Sequence, residues 1–197
     1  MTAWFDRLAL WQQALCLTVG ITLLLALVGF VMGKLRHLTI EGGLRRLLGV
    51  KLAIFVGYYV TIIGTLHHEL SHALGYLITG GRVHKISILP KAQPDGSVRL
   101  GYVSGSTRGP MLLRAVQDTV SSAAPLLFGF VTVYLLWRFA LPHAASTGLK
   151  AFVIYAMVSI LLHMELSRAD LKILARGIVP TLLLLYVLIL LYLRFAR

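Results

Sequence analysis

Five apolar stretches, separated by basic segments, constrain the fold of this chain more than any other feature. They cover residues 14–32, 52–79, 120–137, 151–162 and 177–193. The first is uncharged and, at 1.5 Å per residue, is about long enough to cross a ~30 Å hydrocarbon core. Only 13% of the 197 residues are charged, against roughly 25% in a typical soluble domain. We therefore expect an all-α polytopic membrane protein with about five transmembrane helices.

The formal net charge of +12 would suggest nucleic acid as the partner of a soluble protein. In a membrane protein it is explained more simply by basic loops that face anionic lipid headgroups. We therefore expect the lipid bilayer as a partner, and no nucleic acid. Cys16 is the only cysteine, which excludes a scaffold held together by disulfides.

The second apolar stretch contains His68-Glu69-Leu70-Ser71-His72, an H-E-x-x-H motif. Four residues turn an α-helix by 400°, so His68 and His72 lie about 40° apart on one face and can bind one zinc ion. Glu69 is offset from both and can act as general base on a zinc-activated water. Ionisable residues inside a membrane span are costly, which favours a functional role. His67 is turned about 100° away from the pair, so we expect it to support the site or face the interface.

Three residues that follow the fourth stretch are candidates for the third metal ligand: His163, Glu165 and Asp170. If the helix of this stretch continues past residue 162, Asp170 lies about 28 Å from its start, the depth closest to that of the histidine pair. Ser167 and Asp170 are also spaced as in a capping box, which would start a new helix there. The residues alone leave all three candidates open.

The longest polar segment, between the second and third stretches, predicts a β-hairpin. Residues 83–89 and 97–103 have the composition of strands, and the second of them alternates apolar with polar side chains. Pro94-Asp95-Gly96 between them is typical of a turn.

These residues resemble the site-2 protease family of intramembrane zinc metallopeptidases, particularly its small bacterial members. The resemblance covers about residues 50–175, which we interpret as the core of a single domain over 1–197 with accessory spans at 14–32 and 177–193. The matching segments are HELSHAL at 68–74, GGRV at 80–83, ISILP at 86–90, SSAAPL at 121–126 and SRAD at 167–170.

The resemblance implies that His68, His72 and Asp170 bind Zn²⁺ and that Glu69 is the general base. It also implies a multi-pass protein of the bacterial inner membrane, which hydrolyses a peptide bond in or beside a transmembrane helix of its substrate. The strand at 83–89 begins 11 residues after His72. We expect its edge to lie beside the metal and to bind an unwound stretch of the substrate by strand addition.

Two other functions fit the same motif. A membrane zinc endopeptidase that processes prenylated proteins would use Glu165 as its third ligand. A non-catalytic membrane scaffold would hold a structural metal, closed by four protein ligands. A di-iron hydroxylase would need several separated histidine clusters, and the chain has one.

Overall fold

Helices make up most of the chain in the computed structural model, which describes residues 4–88, 91–92, 98–99 and 101–196. Short π-helical segments extend some of the α-helices, at His37–Leu44, Val56–Val60 and Leu136–Ala140. The α-helices are α1 (Leu10–Arg36), α2 (Arg45–Phe55), α3 (Ile62–Ile78), α4 (Met111–Leu135), α5 (Thr147–Leu161) and α6 (Arg168–Phe195). The mostly helical architecture predicted from the apolar stretches is confirmed.

Three helical stretches are long and apolar enough to cross a membrane: Leu10–Val60, Met111–Ala140 and Arg168–Phe195. They contain the first, third and fifth apolar stretches of the sequence. Within the described residues, α3 and α5 have only 17 and 15 residues, and at 1.5 Å per residue they fall short of a ~30 Å hydrocarbon core. The predicted count of five spans is therefore not confirmed.

The helix formed by the fourth apolar stretch does not continue as far as Asp170. α5 ends at Leu161, and α6 begins at Arg168. The predicted continuation of α5 is wrong, and with it the depth comparison that favoured Asp170. The predicted capping box is confirmed instead, because Ser167 Oγ accepts from the Asp170 amide at 3.2 Å and Asp170 Oδ2 accepts from the Ser167 amide at 2.8 Å. Asp170 thus lies in the first turn of the last helix.

The predicted hairpin is confirmed as two short antiparallel pairs. Strands β1 (Arg82–Ser87) and β4 (Tyr102–Ser106) pair from Arg82↔Ser106 to Ser87↔Tyr102, with a bulge between Val83 and Lys85. Strands β2 (Lys91–Ala92) and β3 (Val98–Arg99), which lie between β1 and β4 in the sequence, form the second antiparallel pair. The predicted turn at 94–96 and the predicted strand residues 89, 97 and 100 lie outside the described residues.

Close helix packing holds α3 at the centre of the molecule. A side chain at Gly64 would meet the Ser159 carbonyl oxygen and the His163 ring, so glycine permits the contact of α3 with α5. The Ser159 hydroxyl reaches the same place, where it accepts from the Gly64 amide at 2.8 Å. On the other side, the Ser121 hydroxyl of α4 donates to the His72 carbonyl at 3.3 Å. The histidine-bearing turn of α3 is therefore fixed by neighbours on two sides.

Candidate metal centre

His68 and His72 lie one turn apart on α3, with their rings facing each other. Their Nε2 atoms are 3.0 Å apart, and their ring planes are at 81°. The His72 residue is buried, and the His68 side chain is 14% exposed. The pair predicted from the H-E-x-x-H spacing therefore shares one face of the helix.

Backbone carbonyls from two other parts of the fold orient the two rings. His68 Nδ1 donates to the His163 carbonyl, and His72 Nδ1 donates to the Ser121 carbonyl, both at 2.7 Å. A carbonyl oxygen only accepts, so each Nδ1 carries the proton and each Nε2 presents a lone pair in the neutral ring. This is the arrangement that metal-binding histidines adopt, with the second ring nitrogen held by a carbonyl or a carboxylate.

Asp170 completes a group of three ligand atoms. Its Oδ1 is 3.3 Å from His72 Nε2, and its Oδ2 is 3.8 Å from His68 Nε2. One ligand atom from each of the three residues lies within 4.8 Å of the others, so the group could hold a metal ion. Ligands bound to Zn²⁺ at ~2.05 Å with tetrahedral angles are about 3.3 Å apart. This is close to the 3.0 Å between the two Nε2 atoms and the 3.3 Å between His72 Nε2 and Asp170 Oδ1. The donor set of two imidazoles and one carboxylate fits a divalent transition metal such as zinc.

Within the described residues, the other two candidate ligands lie outside this group. Glu165 Oε1 pairs with Arg36 at 2.8 Å. The His163 ring donates from Nδ1 to the Ser159 carbonyl at 2.9 Å, and its Nε2 lies 3.5 Å from Thr61 Oγ1. His163 contributes its backbone carbonyl to His68, and its side chain packs against α3.

Glu69 lies beside the metal-binding group without belonging to it. The residue is 7% exposed and lines the same cavity as the two histidines and Asp170. Its carboxylate lies against the backbone of Gly101, where a Cβ would come 2.7 Å from Oε1. A carboxylate at this position can exchange a proton with a water molecule in the cavity.

The cavity that contains these groups has a volume of about 420 Å³. In the described part of the chain, its strand-side wall is formed by Gly101, Tyr102 and Val103, at the start of β4, and not by β1. The expectation that the first strand lies beside the metal is therefore corrected. β1 pairs along β4, and β4 occupies the position next to Glu69.

His67 lies outside the metal-binding group and faces α4. Its Nε2 lies 2.9 Å from Thr132 Oγ1. Arg36, Ser121 and the His163 backbone also contribute to the site, although no motif predicted their roles. Backbone carbonyls leave no signal in a side-chain pattern, and the single signal for Ser121 was its place in the small-residue segment before Pro125.

The site thus contains three converging candidate ligand atoms, an adjacent buried carboxylate and a cavity large enough for part of a peptide. No protein-family model, curated protein sequence or solved structure matches this chain. The functional interpretation therefore depends on the site itself.

Proposed function

We propose that this chain is an intramembrane zinc metallopeptidase that hydrolyses a peptide bond in or beside a transmembrane helix of a membrane-protein substrate. The observation that carries the proposal is the convergence of His68 Nε2, His72 Nε2 and an Asp170 carboxylate oxygen beside Glu69. Three protein ligands leave one position of a tetrahedral ion open for water or substrate, which is typical of catalytic zinc sites.

A zinc ion bound there would acidify a water molecule and polarise the carbonyl of the scissile peptide bond. Glu69 accepts the proton of the attacking water as the water oxygen adds to the carbonyl carbon. When the C–N bond breaks, Glu69 delivers that proton to the nitrogen of the departing amine. The net reaction is the addition of one water molecule across the peptide bond, and Glu69 ends in its starting charge state.

The apolar surroundings of the site support a substrate within the membrane. Three stretches of the described chain are long and apolar enough to span a bilayer. Along α6, Asp170 is buried while Val179, Leu183 and Leu188 are exposed, as expected when the polar site faces inward and the apolar surface faces lipid. We place the protein in the bacterial inner membrane as part of this proposal, with lipid and a transmembrane substrate as its partners.

The prenyl-protein type of endopeptidase is the second candidate, and it needs Glu165 as a metal ligand. The 2.8 Å ion pair of Glu165 with Arg36 argues against that role. The scaffold alternative needs a fourth protein ligand, and the metal-binding group among the described residues contains three. Both observations favour the intramembrane protease.

Zinc content and peptide cleavage of the Glu69→Gln variant test the proposal. We expect purified Glu69→Gln to retain zinc, since Glu69 is outside the ligand group, and to lose cleavage by at least about 10²–10⁴-fold. A suitable substrate is a synthetic peptide with an apolar helix of about 20 residues, interrupted by Asn-Gly near one end, in proteoliposomes.

His67→Gln is the matched control, because His67 precedes the motif and contacts Thr132 instead of the metal group. It should keep both zinc and cleavage. If wild-type protein with bound zinc fails to cleave such peptides, or Glu69→Gln cleaves them normally, the proposed function is wrong.

A further inference from the structure

Three buried side-chain polar atoms in the described part of the chain have no hydrogen-bond partner: Arg36 Nε, Thr65 Oγ1 and Ser122 Oγ. All three residues line the metal-site cavity. Buried polar atoms in native proteins are almost always paired, so each exception calls for an explanation. Their concentration around one cavity indicates that the partner is a molecule that enters it.

Thr65 illustrates the point most clearly. Threonines in helices commonly donate to the carbonyl four residues before them, and Thr65 makes no such bond. Its residue is 4% exposed, and it precedes Glu69 by one turn of α3, on the face that bears the site. Threonines elsewhere in the chain do donate to that carbonyl, namely Thr18, Thr22, Thr39, Thr61, Thr79 and Thr181.

Ser122 and Arg36 approach the cavity from two other elements. Ser122 of α4 follows directly after Ser121, whose carbonyl orients the His72 ring. Arg36 ends α1 and uses one terminal nitrogen to pair with Glu165, which leaves its Nε without a partner. The three unpaired groups therefore come from α1, α3 and α4 and meet at the metal cavity.

A substrate helix must unwind before its peptide bond can be attacked, and unwinding leaves backbone N–H and C=O groups without partners. In an apolar surrounding such groups are strongly destabilised unless the protein pairs them. A hydroxyl can donate or accept, and an arginine Nε can donate. Hydroxyls and arginine Nε groups can therefore bind the backbone of a substrate independently of its side chains.

We propose that Thr65, Ser122 and Arg36 bind the main chain of the unwound substrate segment and hold it across the metal. The inference rests on the proposed function and adds the class of ligand that the cavity recognises, which is extended peptide backbone. It also assigns to these three residues a substrate-binding role that is separate from metal binding and from proton transfer.

Thr65→Val tests the inference, because valine keeps the shape of threonine and removes only the hydroxyl. In a Glu69→Gln background, which does not consume the peptide, we expect Thr65→Val to weaken binding of the Asn-Gly-interrupted peptide about fivefold, the loss of one neutral hydrogen bond. In the active protein the KM should rise by a similar factor, with zinc content unchanged. Thr65→Ser, which retains the hydroxyl, should bind as the parent does.

Thr18→Val is the matched control, since Thr18 is buried in α1 and its hydroxyl donates to the Ala14 carbonyl. It should leave peptide binding unchanged. Ser122→Ala and Arg36→Lys, which retains a positive charge for Glu165, should each weaken binding to a similar degree.

The two levels of the proposal fail in different ways. If Thr65→Val and Ser122→Ala bind the peptide as tightly as the parent while zinc-loaded wild-type protein cleaves it, the main-chain role is wrong and the protease proposal stands. If Thr65→Val also loses zinc, the residue supports the metal site and the substrate-binding role is overturned. If the wild-type protein does not cleave the peptide at all, the proposed function itself fails.

Discussion

Substitution of Asp170 by asparagine separates the two roles of its carboxylate, which are helix capping and metal binding. Oδ2 accepts from the Ser167 amide at 2.8 Å, and Oδ1 faces His72 Nε2 at 3.3 Å. An asparagine that keeps its oxygen on the Ser167 amide must place its NH₂ group toward the histidine. That nitrogen has no lone pair for a metal, so the cap is retained and the ligand is lost.

The expected loss of zinc affinity follows from the number of ligands. A structural zinc ion binds with an apparent free energy of about 10 kcal/mol or more. One of three protein ligands therefore contributes ~3 kcal/mol, and its removal should weaken binding by about 10²-fold. Asp170→Ala should show the same loss of zinc affinity and, in addition, lose ~1 kcal/mol of stability with the hydrogen bond from the Ser167 amide.

Competition with a coloured zinc chelator in detergent measures the zinc affinity. Thermal unfolding of the metal-free protein measures how much the Ser167–Asp170 hydrogen bond contributes to stability. Glu165→Gln is the matched control, because Glu165 lines the same cavity and pairs with Arg36 instead of the metal group. Zinc affinity of Asp170→Asn within about threefold of the wild type, together with a large loss in Glu165→Gln, would refute the ligand assignment. That outcome would favour the prenyl-protein type of enzyme.

Three further predictions follow from contacts around the site. Gly64→Ala should destabilise the protein by about 1–3 kcal/mol in thermal unfolding, because the new methyl group meets the Ser159 carbonyl; an unchanged midpoint would show that α3 and α5 are packed less closely. Gly101→Ala should keep zinc and reduce cleavage, because its Cβ would lie 2.7 Å from Glu69 Oε1 and displace the general base; full activity would contradict the position of Glu69. Zinc affinity should fall as the pH is lowered, since only neutral imidazole binds metal; an affinity that chelator titration finds unchanged with pH would contradict binding by the two histidines.

The sequence was most informative where one local pattern determines the geometry. Apolar stretches of sufficient length predicted the helices, and the four-residue spacing of His68 and His72 predicted their common face. The capping box at Ser167 was also predictable, because it joins residues three apart in the chain. In each case the relevant interaction is local.

The features that the sequence did not predict depend on contacts between distant segments. α5 ends at Leu161 although the following residues include further apolar side chains, and α6 begins only at Arg168, with Ser167 as its N-cap. Likewise, β4 lies next to the candidate metal-binding group: Gly101, which precedes it, lies against Glu69, while Tyr102 pairs with Ser87 of β1. The sequence of a single strand does not indicate whether β1 or its partner β4 faces the site.

The two carbonyls that orient the histidine rings come from α4 and from the connection between α5 and α6, while the third ligand begins α6. α3 alone cannot present the full metal-binding group, because the third ligand lies on α6 and the histidine rings are oriented by carbonyls from two other segments. Zinc binding would thus report that these segments have assembled, and a partly assembled chain would lack the complete group that we propose activates water. The protease that we propose would therefore stay inert during its own insertion and become competent to cut only when its last helix has docked.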